Sequence, residues 1–377
     1  MYITRIRLTN YRSFKDTALS FSRGITVIVG PNASGKTNVI ESLFLLSTGK
    51  SFHARIEEEM VKYDEEIARV KGAIIETDGE RSGTNLEVVI TRGTITIGES
   101  PEKYGKNLPA GRQVARKRLL INGIGKRLVD YAGNFKTVLF GPQDLGLVTE
   151  SPSIRRKFLD TVLSQVDREY RRASLSYEKG LRQRNRLLLG IREEGLSRSL
   201  LLFWDKLLIK NGDYISQKRE EFIEFCNNSG GLNSQMFTLG YDRSAISEAR
   251  LEQYAEEEVA AASTLVGPHR DDFVFKINDK ERKSRRPGSP LARRELAPYG
   301  SRGEQRMGVL WLKLAELSFI ESVTGEKPTL LLDDIFSELD HEHRDIVFEA
   351  AKDQQTIITT ADPHYIEGLK KVEKIKL

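Results

Sequence analysis

The chain holds a single cysteine, Cys226, in 377 residues, so it can form no internal disulfide and no cysteine-rich zinc site. A reducing, cytoplasmic setting is the expectation that follows. Long apolar runs are also missing, and the N-terminus alternates as Tyr2-Ile3-Thr4-Arg5-Ile6-Arg7-Leu8, so neither a membrane span nor a signal peptide is expected. No internal repeat is visible. The net charge of +5 loses its meaning once it is located. Residues 105–118 carry five bases (Lys106, Arg112, Arg116, Lys117, Arg118) and no acid, and residues 279–298 carry seven bases against Asp279, Glu281 and Glu295. Outside those segments the chain is acidic, so bulk charge cannot carry a nucleic-acid argument and local patterning must.

At this length one ordinary core is too small an answer, and two or three lobes are expected. A strand at residues 2–9 precedes a wholly apolar run, Ile25-Thr26-Val27-Ile28-Val29, which reads as a buried strand, and then a glycine-rich turn and a helix from Asn38 to Leu46. Hairpins are predicted for Leu86–Ile90 with Thr94–Ile97 across Arg92-Gly93, and at Asn122-Gly123. Ser151-Pro152-Ser153 stands in helix-start order. Beyond it Leu159, Leu163, Val166, Tyr170, Ala173, Tyr177, Leu181 and Leu188 keep one apolar stripe, which predicts a helix of about ten turns and an antiparallel partner over Leu200–Phe225. Strand character returns at Asp272–Ile277, and the last eighty or so residues alternate helix and strand. The expected division is an α/β lobe of 1–146 plus 298–377 and a mainly helical lobe of 147–297 with a short β segment, with 105–118 and 279–298 as flexible basic insertions.

Gly30-Pro31-Asn32-Ala33-Ser34-Gly35-Lys36-Thr37 fits the phosphate-binding pattern G-x-x-x-x-G-K-[ST] between a buried strand and a helix. Its backbone N–H groups can wrap a phosphate chain, Lys36 can reach the terminal phosphates of ATP, and Thr37 can offer its hydroxyl to Mg²⁺. Thr329-Leu330-Leu331-Leu332-Asp333-Asp334 supplies the matching acidic strand, with Asp333 for the metal and Asp334 for the attacking water; an Asp pair that starts a helix is the plainer alternative. Gly300-Ser301-Arg302-Gly303-Glu304-Gln305 follows the ABC signature S-x-G-x-Q, in which Ser301, Gly303 and Gln305 would face the nucleotide of a second copy. An ordinary serine N-cap is the alternative here. Gln143, in Phe140-Gly141-Pro142-Gln143-Asp144, stands where an ABC Q-loop would lie, and Ser337-Glu338-Leu339-Asp340 resembles a D-loop.

With Asn10-Tyr11-Arg12-Ser13-Phe14, Gly49-Lys50-Ser51-Phe52, Ser151 to Asp160 and Gly267-Pro268-His269-Arg270-Asp271-Asp272, these motifs resemble those of the RecF family over nearly the whole chain. The resemblance implies an α/β fold, an ABC-type (SMC/RecF-like) P-loop ATPase head with a helical second lobe and no long coiled coil. It also implies slow ATP hydrolysis with Mg²⁺, an ATP-dependent homodimer, DNA at gaps or junctions, and work with RecO and RecR in loading RecA. Two departures stand out: the switch histidine of transporters is missing after Ile357-Ile358-Thr359-Thr360, where Ala361 and Asp362 follow, and the two basic insertions are additions. A transporter-type ABC subunit and a non-hydrolysing SMC-like structural head are the competing readings.

His341 and His343 are two residues apart and fall on different helix faces, which argues against a metal pair. His269 is equally open to a structural and a functional part. Arg168, Arg171, Arg172, Lys179, Arg182 and Arg186 fall within about 60° of one line opposite the apolar stripe, so they are the candidate DNA contacts, against the alternative of a solvated helix face.

Overall fold

A computed structural model describes residues 1–75, 83–92, 117–278, 293–337, 339, 341–366, 369 and 372–377. Its contacts divide into two units, residues 1–142 with 326–377, and residues 143–325. The expected lobes placed 298–325 with the nucleotide-binding part, whereas the structure groups that segment with the helical unit. Its apolar side explains the grouping: Phe319 stacks edge-on against Phe222 and Phe225, Trp311 lies against Phe237, and the Trp311 indole N–H donates to the Gly230 carbonyl at 2.8 Å.

The first unit holds two sheets of different character. Its antiparallel sheet runs, in spatial order, Phe14–Ser20, Tyr2–Tyr11, Ile67–Ile75, Thr84–Thr91, Lys117–Ile121 and Ile124–Lys126. Strands here bury alternate residues, as in Ile6 and Leu8, because only one face meets the core. The Asn122-Gly123 hairpin is present, with both residues at positive φ (51° and 80°) as a two-residue turn of matching twist requires. Thr84–Thr91 pairs with Ile67–Ile75 and Lys117–Ile121; the strand expected at Thr94–Ile97 lies outside the described residues.

The second sheet is parallel, in the order Val372–Lys376, Ile25–Val29, Thr356–Thr360, Thr329–Asp333 and Thr137–Phe140. Every residue of Thr329–Asp333 and Thr356–Thr360 is buried, the polar ones included, because both faces of a parallel sheet are covered. The helix Lys36–Thr48 joins one core with both sheets: Val39, Ile40 and Leu43 pack with Ile6 and Val70 of the antiparallel sheet and with Leu331 and Ile357 of the parallel one. Gly72 permits that approach, since a Cβ there would meet Leu46 at 2.6 Å. Gln355 stitches the layers: its side-chain amide donates to the carbonyls of Ile3 and Ser22, and its oxygen accepts from the Ile3 N–H and the Thr329 hydroxyl.

In the helical unit the expected ten-turn helix is two helices, Pro152–Val166 and Arg168–Glu194. Asp167 interrupts it. That residue is extended (φ −124°, ψ 111°) and its carboxylate accepts from the N–H groups of Glu169 and Tyr170, an N-cap that competes with helix continuation. The apolar stripe survives the break: Leu159, Leu163, Tyr170, Ala173, Tyr177 and Leu188 are buried. The partner helix is Leu202–Asn228. Arginines lie inside this hairpin. Arg184 pairs with Asp205 and Glu258, and Arg219 with Asp160 and Asp271. A small antiparallel sheet, Phe237–Asp242, Asp272–Asn278 and Arg293–Glu295, and the helix Arg302–Thr324 complete the unit. Most of the two basic segments, 105–116 and 279–292, lies outside the described residues.

Candidate nucleotide site

The phosphate loop follows the buried strand Ile25–Val29 and runs into the helix Lys36–Thr48. Two backbone reversals shape it: Ala33 has φ 66° and Gly35 φ 100°. Gly35 is required twice over, because its φ disfavours side chains and a Cβ would sit 2.8 Å from the Phe14 ring. The helix beginning at Lys36 has no side-chain cap and no acid in its first turn, which leaves its N–H groups for an anion. The Ser34 hydroxyl is buried without a hydrogen-bond partner. A buried orphan oxygen next to an uncapped helix start is what a phosphate group would satisfy. Pro31, Asn32 and Ala33 form the exposed rim of the loop, while Gly30 and Lys36 are buried. The Lys36 ammonium donates to the carbonyls of Gly30 (2.8 Å) and Pro31 (2.9 Å), which holds it within the loop.

The parallel register brings the acidic strand to the same edge of the sheet, since Thr329–Asp333 and Ile25–Val29 both flank Thr356–Thr360. Thr37 Oγ1 donates to Asp333 Oδ1 at 3.2 Å, and Thr359 Oγ1 donates to the same oxygen at 2.7 Å. Burial pushes the Asp333 carboxyl above its ordinary range, against the pull of the Thr359 and Thr37 hydrogen bonds. A hydroxyl and a carboxylate oxygen at this spacing are the hard donors that suit Mg²⁺. Asp334 leaves the strand in a left-handed conformation (φ 50°), held by donation of its N–H to the carbonyl (3.1 Å) and hydroxyl (3.2 Å) of Thr359. Asp tolerates this conformation better than most residues. Thr359 therefore supports both acids. Two consecutive threonines, Thr359 and Thr360, at the end of the strand Thr356–Thr360 were the sequence signal for it.

The family-like turn at residues 10–14 has a role that sequence reasoning missed. Asn10 and Arg12 adopt positive φ, and the Arg12 guanidinium makes a two-bond pair with Glu41 (2.7 and 2.8 Å), a residue of the phosphate-loop helix that is 1% exposed. Burial pushes the Glu41 carboxyl up, but hydrogen bonds from Arg12 and Ser51 outweigh it and hold the group below its usual range. Ser51 belongs to the Gly49–Phe52 motif, so two motifs meet on one carboxylate. Asn38 adds a bond to Ser13 Oγ at 3.0 Å.

In the helical unit, Gln143 is exposed in the short turn Pro142–Leu145, three residues beyond the strand Thr137–Phe140. Ser301 caps the helix Arg302–Thr324 in a full capping box: its Oγ accepts from the Glu304 N–H, and the Glu304 carboxylate accepts from the Ser301 N–H at 2.8 Å. Ser301 and Gly303 are exposed, but Gln305 turns inward, its amide donating to the carbonyls of Leu296 (3.1 Å) and Ala297 (3.3 Å). Gln305 thus braces the turn ahead of Ser301. Glu338 and Asp340 of the D-loop-like segment lie outside the described residues.

His269 takes a structural part. Its Nε2 contacts the Thr264 carbonyl at 2.9 Å, which requires the proton there, so Nδ1 accepts from the Tyr177 hydroxyl at 2.8 Å. Burial pushes its pKa down to about 4. Of the basic stripe, Arg172 pairs with Glu169 and Arg182 with Glu178 on the same helix, and Arg171 donates to the Ser164 carbonyl. Arg168, Lys179 and Arg186 are exposed. No group of three metal-ligating side chains occurs among the described residues.

The chain is similar to known proteins over nearly its whole length. The family described as the RecF/RecN/SMC N terminal domain matches residues 2–377. The DNA replication and repair protein RecF of Herpetosiphon aurantiacus is 34% identical, over 96% of this chain and 94% of that protein. The recombination mediator protein RecF-ATPrS of the RecFOR pathway aligns at TM-score 0.82 with 32% identity, covering 99% of this chain and 96% of the other. A RecF-ATP structure of the same pathway aligns at 0.81 with 31% identity, covering 98% and 93%.

Proposed function

The chain belongs to the RecF family, and from that premise we propose that it is an ATP-driven switch of DNA repair that closes as a homodimer on gapped or junction DNA and opens on hydrolysis. The observation that carries this reading is the convergence of Thr37 and Thr359 on one Asp333 oxygen beside an uncapped helix start with a buried orphan hydroxyl. Within that site Gly30 to Thr37 bind the phosphates of ATP, and Lys36 turns from its carbonyl partners to the terminal phosphates. Thr37 and Asp333 would hold Mg²⁺, which would supply neutralisation of the phosphate charge. Asp334 accepts a proton from the attacking water or orients it, and Gln143 helps to place that water. Ser301 and Gly303 of a second copy offer a helix N-terminus to the terminal phosphate, so each composite site needs two chains.

Hydrolysis in such a site is slow and serves as a timer. RecO and RecR are the expected co-workers, with RecA loading as the outcome, in line with the RecFOR pathway of the aligned structures. A transporter subunit is a poorer fit, because Thr360 is followed by Ala361 and Asp362 where the switch histidine would stand. The test is light-scattering mass and ATPase rate, measured with and without gapped DNA. A doubling of mass with ATP and a low, DNA-sensitive rate are expected; a monomer at every nucleotide state would overturn the composite site.

A further inference from the structure

Deep in the helical unit, one buried lysine faces two acids. Lys313, on the helix Arg302–Thr324, is 5% exposed; its ammonium lies 3.2 Å from Asp144 Oδ1 and 3.1 Å from Glu316 Oε2, and 4.8 Å above the centre of the Phe158 ring. Glu316 is 2% exposed and is pushed up to about 7 by burial, against the pull of Lys313. The Lys313 ammonium stays above its ordinary range although burial opposes it, because Asp144 and Glu316 favour the charged form. Such a cluster is a poor device for stability alone, since a buried ion pair can often be replaced by apolar residues at no cost. What it does impose is position. An apolar contact can slide, whereas a charged hydrogen bond inside a protein fixes distance and direction.

The position it fixes is informative. Asp144 is the neighbour of Gln143 in the turn Pro142–Leu145, and Lys313 rides on the helix that Ser301 caps, twelve residues and about 18 Å further along a stiff rod. We propose that Lys313 is a positioning residue of the ATPase site, which ties the turn bearing Gln143 to the signature helix so that the two move as one piece. Glu316 holds Lys313 from its own helix, one turn away, and the Phe158 ring closes the third side, so the ammonium has Asp144 as its link to the turn. The proposal rests on the parts assigned above to Gln143 and Ser301.

The test uses the full chain with gapped DNA and reads kcat and KM for ATP, together with Tm. Asp144→Asn leaves the Lys313–Glu316 pair in place and should keep the fold, while lowering kcat about tenfold with KM held within about twofold. Lys313→Met should reproduce that split. Glu316→Gln, which spares the link to the turn, should stay within about twofold of the parent in kcat. Gln143→Ala should lower kcat as well, and adding Asp144→Asn to it should cost nothing more, because both changes remove the same placement. Independent, multiplying losses would overturn the proposal, and so would a Glu316→Gln loss equal to that of Asp144→Asn or a kcat loss that merely follows Tm. If Gln143→Ala keeps the parent kcat, the reading of Gln143 falls and the proposal with it. If Gln143→Ala is impaired and Asp144→Asn is not, the link alone is wrong.

Discussion

Two helix starts in this chain have been finished in opposite ways. The helix Lys36–Thr48 begins after Gly35 at φ 100° with no side-chain cap and no acid in its first turn, whereas Arg302–Thr324 begins with Ser301 and Glu304 satisfying each other's N–H groups. The first leaves a partial positive charge for a ligand; the second has spent it on its own carboxylate. Glu304 is itself tied to Arg294. A phosphate arriving at Ser301 must therefore compete with a carboxylate already there, while one arriving at the loop competes only with the Gly30 and Pro31 carbonyls for Lys36. One start is thus open to an anion and the other is closed by its own carboxylate, which under the proposed function suits a half-site that binds and a half-site that docks conditionally.

The sharpest way to break this contrast is at the acidic strand. Asp334→Asn should leave nucleotide bound, since Asp333 keeps its bonds to Thr37 and Thr359, but lower hydrolysis about 10³-fold, so the closed dimer accumulates. Parent-rate turnover would remove Asp334 from the chemistry. Lys36→Met comes next: loss of the buried ammonium should weaken ATP binding about a hundredfold and abolish dimerisation with it. Normal ATP-dependent dimerisation of that variant, seen by light scattering, would sink the shared-site reading. Ser301→Arg addresses the capped start. Each monomer should bind ATP as before, while association in ATP weakens on the order of 2 kcal/mol from lost capping and added bulk. Retained dimerisation would reduce Gly300 to Gln305 to an ordinary helix start.

The uncapped start was legible in the sequence and the details of the capped one were not, for a physical reason. A phosphate loop is local: Gly30, Gly35, Lys36 and Thr37 act through one continuous turn, so spacing alone reveals it. What surrounds it is long-range. Glu41 meets Arg12 from 29 residues away and Gln355 meets Ile3 from 352, and neither partner can be chosen from spacing. The same holds for Arg184 and Arg219, which sit inside the helical hairpin and whose acids come from other segments. The break at Asp167 was a different error. Its capping signal was local and visible, but the 4-3-4-3 apolar rhythm passes unbroken across it, because the two helices bury the same side.

A smaller effect sharpens the contrast through pH. His269 is neutral in the folded state, with its pKa lowered to about 4, whereas an unfolded histidine titrates near 6.5. Between those values the unfolded chain binds the extra proton, so stability rises with pH across the window and is fully present above about 6.5. Its contribution is lost as pH falls through the folded pKa. Bringing the protein from pH 7 to pH 5 should cost about 2 kcal/mol at this site, and His269→Gln should flatten that part of the stability curve. An unchanged curve in the variant would show that other groups carry the slope.

The smallest effect lies on the outer face of Arg168–Glu194, where charges are again answered from within. If Arg168, Arg171, Arg172, Lys179, Arg182 and Arg186 meet DNA phosphates, changing Arg171, Arg182 and Arg186 to Glu should lower the log–log salt slope of binding by about 2 to 3 and leave ATP binding unchanged. The structure adds a gentler test. Arg172 and Arg182 are paired with Glu169 and Glu178 in exposed bonds that a phosphate can displace. Replacing both acids with Gln removes that competition and two like-signed charges facing the DNA. Affinity should then rise by roughly twofold to tenfold at low salt, and the gain should shrink as salt screens it. The rival source of attraction is the pair of basic segments, 105–118 and 279–298. Under that reading the Gln substitutions do nothing, the triple Glu variant binds like the parent, and deletion of the segments abolishes the salt dependence. A row of arginines on one helix loses less entropy on binding than flexible chain does, which favours the helix. Glu169→Gln with Glu178→Gln binding no tighter than the parent at low salt decides against it, because two freed cations on a true contact face cannot be silent.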